Sequence, residues 1–162
     1  MRRKFSITVI ALCIAVLPQA VRAQNHHHTA PDGMKTATPA GLKWAPFQPE
    51  GFAPGMEVAP VLGDPSVPNQ PFVIRVRFKD GYRMPAHYHP TAENITVLSG
   101  TFLLQMGDAA TENMTEYGAD DFIQVPPLKP HYGGAKGETV LQVHGVGPFQ
   151  VMLAKPGAGS GK

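Results

Sequence analysis

Residues 87 to 93 read His-Tyr-His-Pro-Thr-Ala-Glu, two imidazoles and a carboxylate within seven positions. Alternate residues of a β-strand point to the same face, so His87 and His89 aim together while Tyr88 aims away. Pro90-Thr91-Ala92 can turn the chain, and Glu93 then opens a following strand on the same inward face as Ile95 and Val97. Two ring nitrogens from one strand and a carboxylate oxygen from the next can meet at one point. His131, after the "PPLKP" turn, is the natural fourth ligand. Three imidazoles and one carboxylate suit a divalent transition metal: Mn, Fe, Co, Ni, Cu or Zn. Open coordination positions on such a metal would let it polarise a bound group or activate oxygen.

Elements that could position these ligands surround them. "FVIRVRF" (72–78) sets Ile74, Val76 and Phe78 against Arg75 and Arg77 in strict alternation. One or two short strands are expected around Met56 to Leu62, inside a Pro/Gly-rich lead-in from Trp44. Further strand candidates are "NITVLSG" running into "TFLLQM" across a Ser99-Gly100 turn, "DFIQVP" (121–126) and "TVLQVHGVGPFQVML" (139–153). Turn signals recur at Asp80-Gly81, Gly107-Asp108, Gly118, Gly133-Gly134 and Gly147-Pro148. No stretch keeps a helical period. Many short strands between frequent turns predict an all-β sandwich or barrel.

The ligand segment lies in "GYRMPAHYHPTAENITVLSG": glycine, five residues, His-x-His, three residues, glutamate, six residues, glycine. It resembles the first signature motif of the cupin superfamily, at Gly81, His87, His89, Glu93 and Gly100. "GADDFIQVPPLKPHYGGA" resembles the second motif at Gly118, Pro126 and His131. It departs from that motif in a spacing longer by two, in Leu128 where glycine is usual, and in Ala135 where asparagine is usual. The likeness covers about Phe72 to Leu153 and is greatest to small exported single-domain cupins. It implies a jelly-roll barrel of antiparallel strands, often a homodimer, with metal in its mouth on three histidines and one glutamate. It allows dioxygenases, isomerases, decarboxylases and lyases. The leaning here is a dioxygenase-like, metal-dependent enzyme on a small organic substrate. The alternative is a non-catalytic metal holder or small-ligand sensor.

Residues 1–23 read as a secretory signal peptide. Arg2, Arg3 and Lys4 precede the apolar run Phe5 to Leu17, Pro18 breaks it, and Val21-Arg22-Ala23 supplies the cleavage site. The run is shorter than the ~20 residues that span a bilayer. Four of the 14 basic residues leave with this segment and none of the 12 acidic ones, which turns a formal net charge of +2 into −2. That balance gives no footprint for nucleic acid. The one cysteine, Cys13, leaves too, so no disulfide is expected. The expected product is periplasmic or secreted, without a stable membrane anchor.

Residues 24–43 are expected to be a flexible segment, 44–155 the barrel and 156–162 a flexible tail. His26, His27 and His28 fall in the flexible part, where a solvated linker is favoured over a fixed metal site. His144 and Gln142 share a strand face. They are candidate contacts to a ligand, although an ordinary hydrogen-bonded histidine is the preferred reading. Arg75 and Arg77 are read as the solvated face of their strand rather than as anchors for an acidic ligand.

Overall fold

The computed structural model describes residues 33–109, 111–155 and 157. Residues 1–23, read above as a signal peptide, His26 to His28 and most of the tail lie outside them. The described residues from Lys35 onward form one compact unit. A short 3-10 helix, Pro39–Gly41, precedes nine strands: β1 (Ala45–Pro46), β2 (Met56–Leu62), β3 (Pro71–Phe78), β4 (Arg83–Tyr88), β5 (Glu93–Met106), β6 (Thr115–Tyr117), β7 (Phe122–Val125), β8 (His131–Val146) and β9 (Met152–Leu153). Every pairing is antiparallel. The sheet curls into a cupin-type jelly roll, the all-β class expected. Among the described residues no helix is long and apolar enough to cross a membrane.

β8 holds the two halves together. Its second half pairs with β3, from Phe78↔Thr139 to Pro71↔Val146. Its first half pairs with β4, where His87 lies opposite His131. β5 runs along the other edge of β8 for its whole length, from Asn94↔His144 to Met106↔His131. The first half of β5 also carries β7, and its second half carries β6.

Two expected turns are replaced. Ser99-Gly100 does not end a strand: β5 continues through it, and the register against β8 shifts on both sides of Ser99. Gly100 has φ +79, and a Cβ there would collide with the Glu138 carbonyl and the Thr139 hydroxyl. The pair therefore makes a bulge that bends a long strand, a second use of the turn-forming residues. Gly133-Gly134 lies inside β8 rather than in a turn. A Cβ would stand 2.5 Å from the Leu103 carbonyl at Gly133 and 2.5 Å from the Tyr82 carbonyl at Gly134, so these glycines serve close backbone approach. The strand expected at 139–153 consequently begins earlier, at His131, and ends at Val146, with β9 separate.

Alternation decides which faces turn inward. Phe72, Ile74, Val76 and Phe78 of β3, Ile95 and Val97 of β5, and Leu141 and Val143 of β8 are buried. The registers place Val76 beside Leu141 and Leu141 beside Val97, with Ile74, Val143 and Ile95 in the next row. Burying each such side chain stabilises the fold by ~1.5–3 kcal/mol. The lead-in adds Phe52 and Met56 to this core.

Candidate metal centre

The inward rows end in polar residues at the mouth. Glu93 stands one inward step beyond Ile95, at the start of β5. His87 and His131 are cross-strand partners on β4 and β8, with ring centroids 4.3 Å apart. His89 follows β4 directly. All three histidines are buried, His131 almost completely. Each offers a ring nitrogen, and these atoms lie within 4.8 Å of one another. Glu93 Oε2 is 3.5 Å from His89 Nε2 and 3.4 Å from His131 Nε2. The four residues singled out by spacing are thus brought together.

The other nitrogen of every ring is engaged by the main chain. Nδ1 donates to the carbonyl of Pro85 in His87 (2.8 Å), of Gln150 in His89 (2.8 Å) and of Lys129 in His131 (3.1 Å). A carbonyl can only accept, so Nδ1 carries the proton and a neutral ring presents its Nε2 lone pair to the centre. Such bonds fix ring orientation and tautomer in metal-ligating histidines. His89 Nε2 is buried without a hydrogen-bond partner. Several lone pairs thus converge with Glu93 Oε2 on one small volume. A shared cation satisfies them together, and the residues fit a metal by donor type, orientation and burial.

Burial, reinforced by His131, lowers the His87 pKa from 6.5 to about 3, against the opposing pull of the Pro85 carbonyl. His87 is therefore neutral at ordinary pH, as a ligand must be. Burial works against the Glu93 carboxylate, but the His131 and His89 side chains beside it outweigh that and hold the carboxyl below its usual range.

A cavity of about 540 Å³, open mouth included, lies against the cluster. Its aromatic walls were not legible from motif spacing. Phe149 stacks on His89 with centroids 4.1 Å apart and planes 15° apart, and Phe52 meets the His87 ring edge-on at 5.2 Å. Phe149 comes from the loop after β8, whose Gln150 carbonyl also anchors His89. The preferred second-motif glycine is absent, yet Leu128 adopts φ +60 itself and the turn is made.

His144 and Gln142 alternate with buried Leu141 and Val143, on the face turned away from the cavity. The Asn94 amide donates to the His144 carbonyl. Arg77 pairs with Glu57 at 2.7 Å and lies over the Trp44 ring. Arg75 is half-buried on the same face. Of the flanking tyrosines, Tyr82 donates to the Ala53 carbonyl and Tyr132 bonds to Thr111, both structural roles.

The sequence matches the Cupin domain family over residues 74–147. Solved structures share the fold. The polyketide cyclase RemF of Streptomyces resistomycificus is 16% identical, with a TM-score of 0.60 over 77% of this chain and 88% of that one. A cupin-2 domain protein of Rhodospirillum rubrum is 13% identical, with a TM-score of 0.57 over 78% and 83%. A cupin 2 conserved barrel domain protein of Rhodopseudomonas palustris is 13% identical, with a TM-score of 0.54 over 72% and 84%. None of the curated proteins matches the sequence. With its motif, its curled antiparallel barrel and the family match, residues 74–147 of the chain form a Cupin domain.

Proposed function

We propose that His87, His89, His131 and Glu93 bind one divalent transition metal (Mn, Fe, Co, Ni, Cu or Zn). From that site the protein acts on a small organic molecule as a dioxygenase-like, metal-dependent enzyme. The observation that carries the metal reading is the convergence of three inward Nε2 atoms, each locked by a main-chain bond at its own Nδ1, with Glu93 Oε2. A bound metal with open positions supplies Lewis-acid or oxygen chemistry. The chain orients the ligands, keeps His87 uncharged and encloses the site in apolar side chains that exclude water. A passive metal holder has no use for the adjoining cavity, and that favours an enzyme. The basic and apolar leader at residues 1–23 supports export to the periplasm or beyond.

Elemental analysis of the purified protein tests the metal reading. About one equivalent of a first-row transition metal is expected. His87→Ala, His89→Ala and His131→Ala should each lower occupancy strongly, and a folded variant with full occupancy removes that residue from the site.

A further inference from the structure

The cavity beside the cluster is unusual in what it lacks. Besides His87, His89, Glu93 and His131, every described side chain that lines it is aliphatic, aromatic or a thioether. Its deep part includes Val76, Phe78, Phe102 and Leu141, all buried. The strands behind it hold their backbone groups in ladders, β3 with β8 and β8 with β5. A guest therefore finds hydrogen-bonding capacity at one end only, where the four polar residues stand.

That asymmetry selects a ligand class. A sugar or amino acid would bury several polar groups unmatched, at ~1–3 kcal/mol each. A second carboxylate would meet no cation, because Arg75 and Arg77 alternate with the inward residues of β3 and face away. An apolar body instead gains ~25 cal/mol per Å² buried. Phe149 and Phe52 flank His89 and His87 and offer ring faces and edges next to the polar end. Aromatic guests favour such offset and edge-on partners.

We propose that the site takes a small, uncharged ring compound whose polar atoms, one oxygen chelate able to bind a metal, are gathered at the end directed at the histidine cluster, the rest of the molecule being hydrocarbon. The inference rests on the metal reading above and adds the substrate class to it.

Calorimetric titration of the metal-loaded protein tests it with three probes: ortho-hydroxyacetophenone, malonate and glucose. The first joins an aromatic body to an oxygen chelate, the second has a chelate without a hydrophobic body, and the third has many hydroxyls. The hydroxyacetophenone should bind at least about tenfold more tightly than either of the others. Val58→Thr places a hydroxyl in the wall at nearly constant volume, and Phe47→Ser trims an exposed side chain at the cavity. Both should weaken that binding several-fold and leave metal content unchanged. Metal retained with malonate or glucose bound as tightly as the hydroxyacetophenone overturns the inference and leaves the metal reading standing. If the protein takes up no metal, the metal reading fails, and titration of the metal-free protein with naphthalene decides the apolar part. Binding supports the hydrocarbon-selective cavity; no binding overturns it.

Discussion

The backbone amide of Leu128 donates to the carbonyl of His89 across 2.8 Å. The bond joins the turn that leads into His131 to the residue that ends the first ligand pair. It requires Leu128 to sit at φ +60, where a side chain clashes with its own backbone. Leu128 is largely exposed, so little packing offsets that cost. Leu128→Gly relieves ~1–2 kcal/mol of strain and loses part of it to the greater freedom of unfolded glycine. A small rise in stability with unchanged metal content is expected. Leu128→Val, β-branched and worse at positive φ, should lower stability by ~1 kcal/mol or more. Denaturant unfolding of both variants checks the order, and a Val variant as stable as the Gly one contradicts it.

Phe149 stacks on the His89 ring and helps to hold its orientation. Phe149→Ala should leave a folded protein whose metal affinity falls by about tenfold, in line with the 10–100-fold lost when groups supporting a ligand are removed. Competition against a chelator of known affinity measures it. Unchanged affinity would mean that the Gln150 carbonyl orients His89 alone.

Acid should act on the metal-free fold through two groups with the same sign. The His87 pKa falls from 6.5 to about 3 on folding, so between those values the unfolded chain binds the extra proton. The contribution is fully present above about pH 6.5 and is lost as pH drops toward 3. Glu93, held below its usual range, adds a loss that begins as pH falls through 4.5. Melting temperature of metal-free protein should fall steadily from pH 7 to pH 4, and a flat profile there would contradict the buried, neutral His87. His87, already neutral across this range, adds no proton in competition with a metal.

Glycines of similar appearance should differ sharply. Gly133→Ala forces a Cβ against the Leu103 carbonyl and should cost several kcal/mol or prevent folding. Gly118→Ala has open space and no positive φ, and should be neutral or stabilising by ~0.4–1 kcal/mol. Thermal melts of the two variants separate these outcomes.

Deleting His26 to His28, which lie outside the described residues, should leave the content of the barrel metal unchanged. Metal analysis of the deletion variant checks this.

The candidate ligands were legible because metal chemistry would fix both residue type and spacing: His87, His89 and Glu93 lie within one strand end and the next strand start. The inward face of β3 was legible from alternation alone. Glycine misled, since a residue without a side chain serves tight turns, bulges and close strand contacts equally; Gly100, Gly133 and Gly134 needed three-dimensional neighbours to be told apart. The main-chain anchors at Pro85, Lys129 and Gln150 left no sequence signal, because every residue has a carbonyl. Phe149 was hidden for a related reason: it reaches His89 from sixty residues along the chain, and no local pattern marks that meeting.

The central place of β8 has a consequence for biogenesis. Until residues 131–146 leave the ribosome or a translocation channel, β3 can pair only with β2, and β5 only with β6 and β7. β4 has no strand partner at all, since both of its neighbours, β8 and β9, come later in the chain. Such non-local pairings form slowly. His131 is the first residue of the strand that completes them, so the third imidazole arrives with the final stage of assembly. On the metal reading proposed above, selection of the ion would be postponed until the chain is nearly finished. The ions present where β8 docks would then decide what the centre acquires.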